Sequence, residues 1–166
     1  MGGDPDSLRK SEDREGILRS QKHVHELIQK EIDAGIPADR IVLGGFSQGG
    51  AVGIFAGLTA KVKLAGIVAL SAYLLLSQQF ASFVPKPEFN KDTPIFIGHG
   101  DSDEVVHTQL GQLTNSMLKT QGYNVTMKVY EDLAHSATPE ELDDVEAFLN
   151  KVLPAKGKKG DEKSEL

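Results

Sequence analysis

Residues 40–50 read RIVLGGFSQGG: an apolar run, two glycines, a lone serine and two more glycines. The run at 41–46 has the pattern of a buried strand, and residues 48–59 return to the spacing of a small, apolar helix. Gly45-Phe46-Ser47-Gln48-Gly49 thus falls where a strand gives way to a helix within one sharp turn, and it matches G-x-S-x-G. Such a turn sets Ser47 at its apex in a strained conformation. A side chain at either flanking position would collide with strand or helix, which accounts for both glycines. The hydroxyl then projects at the carboxyl edge of a sheet. The Gln48 amide, heading a helix, is aimed the same way as an oxyanion donor. Three specified residues recur by accident in roughly one chain in twenty of this length, so the strand before and the helix after give the motif its weight. The competing reading is a glycine-rich helix N-terminus that only makes a turn or holds an anion.

Working outward, Ser11-Glu12-Asp13 offers a helix cap with acidic first-turn residues. Ile17, Val24, Leu27, Ile28 and Ile32 then fall mostly on one face, until Gly35 and Pro37 stop the helix. Residues 64–71 (LAGIVALS), 95–99 (IFIGH) and 125–130 (VTMKVY) are further strands, with a helix from about 107 to 120. Thr138-Pro139-Glu140-Glu141 is a capping box with proline at the first helical position. Leu142, Val145, Phe148, Leu149 and Val152 give the last helix an apolar stripe. Alternating helices and strands predict an α/β fold with a parallel sheet. One domain is expected over residues 1–154, followed by a charged, disordered tail at 155–166.

The 166 residues are 39% hydrophobic and 25% charged, the composition of one globular domain. A net charge of −6 gives no electrostatic footprint for nucleic acid. The absence of cysteine excludes disulfides, thiolate catalysis and zinc–cysteine sites. No apolar run reaches the roughly 18 residues of a membrane span. The N-terminus MGGDPDSLRK lacks a signal-peptide core, and Asp6 stands where myristoylation wants Ser or Thr. A cytosolic protein is the expectation.

A serine nucleophile needs a histidine base and a carboxylate that orients it, in chain order Ser, acid, His. His23 and His25 precede the serine on the first helix and read as surface residues; His99 ends a strand and reads as structural; His107 opens a helix. His135, in the loop DLAHSATP after the fourth strand, is the candidate base by order and placement. The acid is expected after the third strand, where HGDSDEVVH (99–107) offers Asp101, Asp103 and Glu104, and spacing does not separate Asp101 from Asp103. His99, Asp101, Asp103 and His107 are also permissible metal ligands. Their spacing matches no particular metal motif, and no metal is expected.

RIVLGGFSQGGA, LAGIVALSAYLLL, PIFIGHGDSDEVV and VYEDLAHSATPEELDDVEAFL, in this order, resemble the acyl-protein thioesterases of the phospholipase/carboxylesterase branch of the α/β-hydrolases. The upstream stretch SEDREGILRSQKHVHELIQKEIDAGIPADRI is most similar to fungal members. The resemblance implies a three-layer αβα fold with a mainly parallel sheet. It implies Ser47 as nucleophile, Asp103 as acid, His135 as base and Gln48 as an oxyanion donor. It places Leu74, Leu75 and Leu76 where such proteins line an acyl channel. The implied substrates are S-acylated, typically palmitoylated, proteins, or lysophospholipids and short esters. No cofactor is implied, and the location is cytoplasmic, in some members also nuclear. Two departures stand out. Glu104-Val105-Val106-His107 replaces a Pro-Leu-Val-Pro-like run at the rim of the site. The family also begins with about 60–70 further residues, whose first strands carry an HGLGD-like segment supplying the second oxyanion N–H. That segment is absent from this sequence, so the resemblance is to a member lacking the N-terminal strands, and a catalytically impaired fragment that binds acyl chains or partner proteins is the alternative expectation to a serine hydrolase. The strand at 41–46 is then expected at an exposed sheet edge.

Overall fold

The computed structural model describes residues 10–156. The element order is α1 (Arg14–Asp33), a 3₁₀ turn (Ala38–Arg40), β1 (Val42–Phe46), α2 (Gln48–Leu58), β2 (Gly66–Leu70), α3 (Phe80–Phe83), β3 (Ile95–Gly100), α4 (Thr108–Thr120), β4 (Val125–Tyr130) and α5 (Pro139–Val152). The expected tail lies outside the described residues from 157 onward.

The cap of α1 is Asp13, whose Oδ1 accepts the Gly16 N–H at 3.0 Å. The helix ends in a Schellman turn: Gly35 takes φ 101°, its N–H reaches Ile32 O, and the Ile36 N–H reaches Glu31 O. Only Ile28 of the predicted stripe is fully buried, and Leu27 is exposed. The face of α1 is fastened to α2 by polar bonds as well. Gln21 donates to Thr59 Oγ1, and the His25 ring pairs with Ala56 O at 2.8 Å, so His25 is half-buried rather than a surface residue.

The four strands form one parallel sheet in the order β1-β2-β3-β4. Side-chain alternation divides its two faces. Ile67, Ala69, Ile95 and Ile97 pack with Ala51, Ile54, Phe55, Leu58 and Leu118 beneath α2 and α4. Val68, Leu70 and Phe96 pack with Val42, Val145 and Phe148 beneath α5. These are the three layers of an αβα sandwich. β2 and β3 are buried along their whole length, as parallel strands covered on both faces require. Among the described residues β1 is an edge strand, with Gly44 and Phe46 exposed. In a parallel sheet all strand C-termini meet at one edge, so the loops after β1, β3 and β4 converge there.

Candidate active site

At the β1–α2 turn, Ser47 takes φ 56° and ψ −124°, a conformation L-residues rarely adopt. Its N–H is held by Leu70 O of β2 at 2.8 Å, and its hydroxyl does not cap α2. The side chain is therefore free to face outward. The two motif glycines are not equivalent. A Cβ on Gly45 would stand 2.4 Å from Gly49 C and 2.6 Å from Gly50 N, whereas one on Gly49 meets nothing within 4 Å among the described residues. The steric need expected of both glycines thus applies to Gly45 alone. Gly50 is the second tight position, with Gly45 O at 2.8 Å and Ala72 Cβ at 2.9 Å.

The loops after β3 and β4 are laced together. The Asp132 N–H donates to Asp101 Oδ1 at 2.9 Å, the Asp101 N–H to Tyr130 O, and the Ser102 N–H to Leu133 O. The approach is so close that a Cβ on Gly100 would fall 1.9 Å from Leu133 O. Asp101, inseparable from Asp103 by spacing, is thereby occupied in anchoring the loop that carries His135. It does not face the imidazole.

Asp103 does. Its Oδ1 accepts the N–H groups of Val105 and Val106, each at 2.9 Å, and its Oδ2 lies 2.8 Å from His135 Nδ1. Burial pushes this carboxyl up. The hydrogen bonds from His135, Val106 and Val105 together outweigh burial and hold it below the ordinary carboxylate range. An ionised carboxylate only accepts, so His135 Nδ1 carries the proton. Nε2 is left as an acceptor for the Ser47 hydroxyl at 2.9 Å. Phe46, the variable residue of the motif, stacks obliquely on the His135 ring with centroids 4.8 Å apart. A ring position at that motif site was a signal the sequence carried and reading by motif alone passes over.

A cavity of about 580 Å³ opens beside Ser47. It is lined by Ile17 and Arg19 of α1, Val52 of α2, and Tyr73, Leu75 and Val106. The three leucines proposed for an acyl channel are all buried in the core; Leu75 also lines this cavity, and Leu76 lines a smaller one beside Glu12 and Arg14. The Glu104-Val105-Val106 departure serves two purposes here: its amides fix Asp103, and Val105 and Val106 wall the cavity. The four potential metal ligands are not gathered into a site; no cluster of three such side chains occurs among the described residues. Sequence reading also missed Glu141. Rather than closing a reciprocal capping box, its carboxyl is wholly buried against Gly98, with neither oxygen hydrogen-bonded among the described residues.

Hydrogen-bonded in this way, the serine hydroxyl is poised to lose its proton to His135 as it attacks an electrophilic carbonyl, and Gln48 follows it as the first residue of α2. Comparison with known proteins bears on what such a site belongs to. The sequence profile of the phospholipase/carboxylesterase family matches residues 3–153. Acyl-protein thioesterase 1 of Neurospora crassa is 62% identical over 166 residues, covering all of this chain and 68% of the relative. Acyl-protein thioesterase 1 of Gibberella zeae is 54% identical over 94% of this chain and 66% of its own length. The crystal structure of Zea mays acyl-protein thioesterase 2 superposes with a TM-score of 0.75 at 30% identity, over 85% of this chain and 66% of that one. The chain therefore spans about two thirds of the length of these relatives. Across nearly the whole of its own length, from α1 to α5, it belongs to the phospholipase/carboxylesterase family of α/β-hydrolases.

Proposed function

We propose that this chain hydrolyses long-chain acyl thioesters on protein cysteines, with Ser47 as nucleophile, His135 as base and Asp103 as the group that orients and compensates the imidazolium. The observation that carries the reading is the unbroken run from Ser47 Oγ through His135 to Asp103, at 2.9 and 2.8 Å, on an apex with strained backbone.

In this mechanism Ser47 Oγ bonds to the thioester carbonyl carbon while its proton passes to His135 Nε2. The oxyanion of the tetrahedral intermediate faces the Gln48 N–H. One such donor is worth on the order of 10²–10³ in rate. The carbon–sulfur bond then breaks, and His135 returns the proton to the departing cysteine sulfur. A thiol, with a pKa near ~8.5, leaves more readily than an alcohol. Water attacks the acyl-serine with His135 again as base. This releases the fatty acid and restores Ser47. Leu75, Tyr73, Ile17, Val52 and Val106 offer the acyl chain an apolar wall beside the nucleophile. The names of the fungal relatives support the thioester; the family's name supports a second reading, a general carboxylesterase or lysophospholipase with the same machinery. On the same family grounds we place the reaction in the cytoplasm, with a nuclear pool as in some members. Turnover of a palmitoyl-cysteine peptide compared with a short p-nitrophenyl ester decides between the two activities. A preference for the thioester supports depalmitoylation, and turnover of the short ester alone overturns it.

A further inference from the structure

Beyond the three residues of the reading above, on which it rests, we infer that His99 is a positioning residue: its Nε2–H holds the acid turn so that Asp103 faces His135. His99 is the penultimate residue of β3 and is fully buried. Its Nε2 lies 2.8 Å from Val106 O and 3.4 Å from Asp103 Oδ2. A carbonyl oxygen only accepts, so the proton is on Nε2 and the ring is the Nε2–H tautomer. Nδ1 has no hydrogen-bond partner among the described residues, which suits an unprotonated nitrogen better than a buried N–H.

These contacts close a ring of three residues. Val106 donates its N–H to Asp103 Oδ1 and accepts His99 Nε2–H at its carbonyl. Asp103 Oδ2 then lies between two imidazoles, His135 Nδ1 at 2.8 Å and His99 Nε2 at 3.4 Å. A wholly buried carboxylate depends on such donors to remain ionised and in one rotamer. The packing behind the ring is equally specific: a Cβ on Gly111 of α4 would stand 2.4 Å from His99 Nδ1, so only a glycine lets the helix back the imidazole this closely.

The test has two arms on the full chain. In wild-type protein labelled with ¹⁵N-histidine, long-range ¹H–¹⁵N spectra should show His99 as the neutral Nε2–H tautomer and a low-field Nδ1–H on His135. A His99 proton on Nδ1 overturns the inference without any variant. In the second arm, His99→Leu removes the donor, whereas the amide nitrogen of His99→Gln can occupy the place of Nε2. Loss of the donor to the Val106 carbonyl, which holds the turn that places Asp103, predicts a fall in kcat on the order of 10-fold for His99→Leu. KM should stay within about twofold, the sign of a group that acts on the chemical step. His99→Gln should recover most of the loss and keep the low-field His135 proton. Wild-type turnover in His99→Leu, or an equal loss in both variants, contradicts the role. If His99→Leu fails to fold, the wild-type tautomer and the His99→Gln spectrum decide. A fluorophosphonate adduct on Ser47 in the same samples keeps the two readings apart: its absence from wild type defeats the nucleophile assignment, whereas its presence with unaltered His99→Leu kinetics defeats only this one.

Discussion

Replacing Gly45 with alanine tests whether the nucleophile turn works as the structure implies. The new Cβ would lie 2.4, 2.5 and 2.6 Å from Gly49 C, Gly49 O and Gly50 N, all backbone atoms in the first turn of α2. Ordinary contact begins near 3.4 Å, so the deficit is about 1 Å. No side-chain rotation can relieve it. The first turn of α2 must move off the end of β1, although Gly50, Ala51, Ile54 and Phe55 are buried in the layer beneath. Overpacking of this kind costs about 1–3 kcal/mol of stability. If the shift is passed to Ser47, its 2.9 Å bond to His135 opens beyond hydrogen-bond reach, and a misplacement of about 1 Å costs ~10²-fold in turnover. Gly49→Ala is the internal contrast. It meets no neighbour and should be stable to within about 1 kcal/mol, with alanine favoured over glycine in a helix. Urea unfolding and kcat/KM on a thioester substrate measure both. Equal damage from the two substitutions, or a harmless Gly45→Ala, would refute the steric account.

Asp103→Asn should lower kcat by roughly 10⁴-fold through the wrong imidazole tautomer, while Asp101→Asn, whose side chain bonds to the Asp132 N–H and the Ser102 hydroxyl, should cost far less; steady-state kinetics of the pair decides, and reversed effects would move the acid to Asp101. Because the Asp103 carboxyl sits below its ordinary value when folded, its stabilisation is complete above the unfolded value near ~3.9 and is lost as pH falls through the lower folded one. The stability gap between wild type and Asp103→Asn should therefore narrow in acid denaturation below pH ~4. Glu141 has the opposite sign: burial, with Asp144 nearby, raises its pKa, so wild-type stability falls as pH climbs from about 4.3 toward the raised folded value. Glu141→Met should stabilise the protein by about 1–3 kcal/mol at neutral pH, with the gain shrinking toward pH ~4 in thermal unfolding; a destabilised variant would mean the carboxyl has a partner.

The strands expected at 95–99 and 125–130 and the helix after Thr138 were legible because their punctuation is strong, although Leu142 of the expected apolar stripe is exposed. Thr138 before Pro139 is a cap that the structure uses as the sequence implies. Ser47 was legible for a different reason: G-x-S-x-G between strand and helix leaves little freedom in the turn. What stayed hidden depended on contacts between distant segments. Asp101 and Asp103 are two residues apart, and only the lacing of the β3 and β4 loops turns one toward Asp132 and the other toward His135. The leucine triplet looked uniform, yet the chain direction at residues 74–76 sends only Leu75 to the cavity beside Ser47. Glu141 fitted a capping box, but Gly98, lacking a side chain, opened a space for it inside the core.

In the proposed reaction Ser47 Oγ is the atom acylated during thioester hydrolysis. Incubating the chain with a palmitoyl-cysteine peptide, quenching in acid within one turnover and mapping the adduct by tandem mass spectrometry tests it most directly. A palmitoyl group is expected on Ser47 alone, released on chase with water, and lost in Ser47→Ala. An acyl group on another residue, or hydrolysis that continues undiminished in Ser47→Ala, would contradict it.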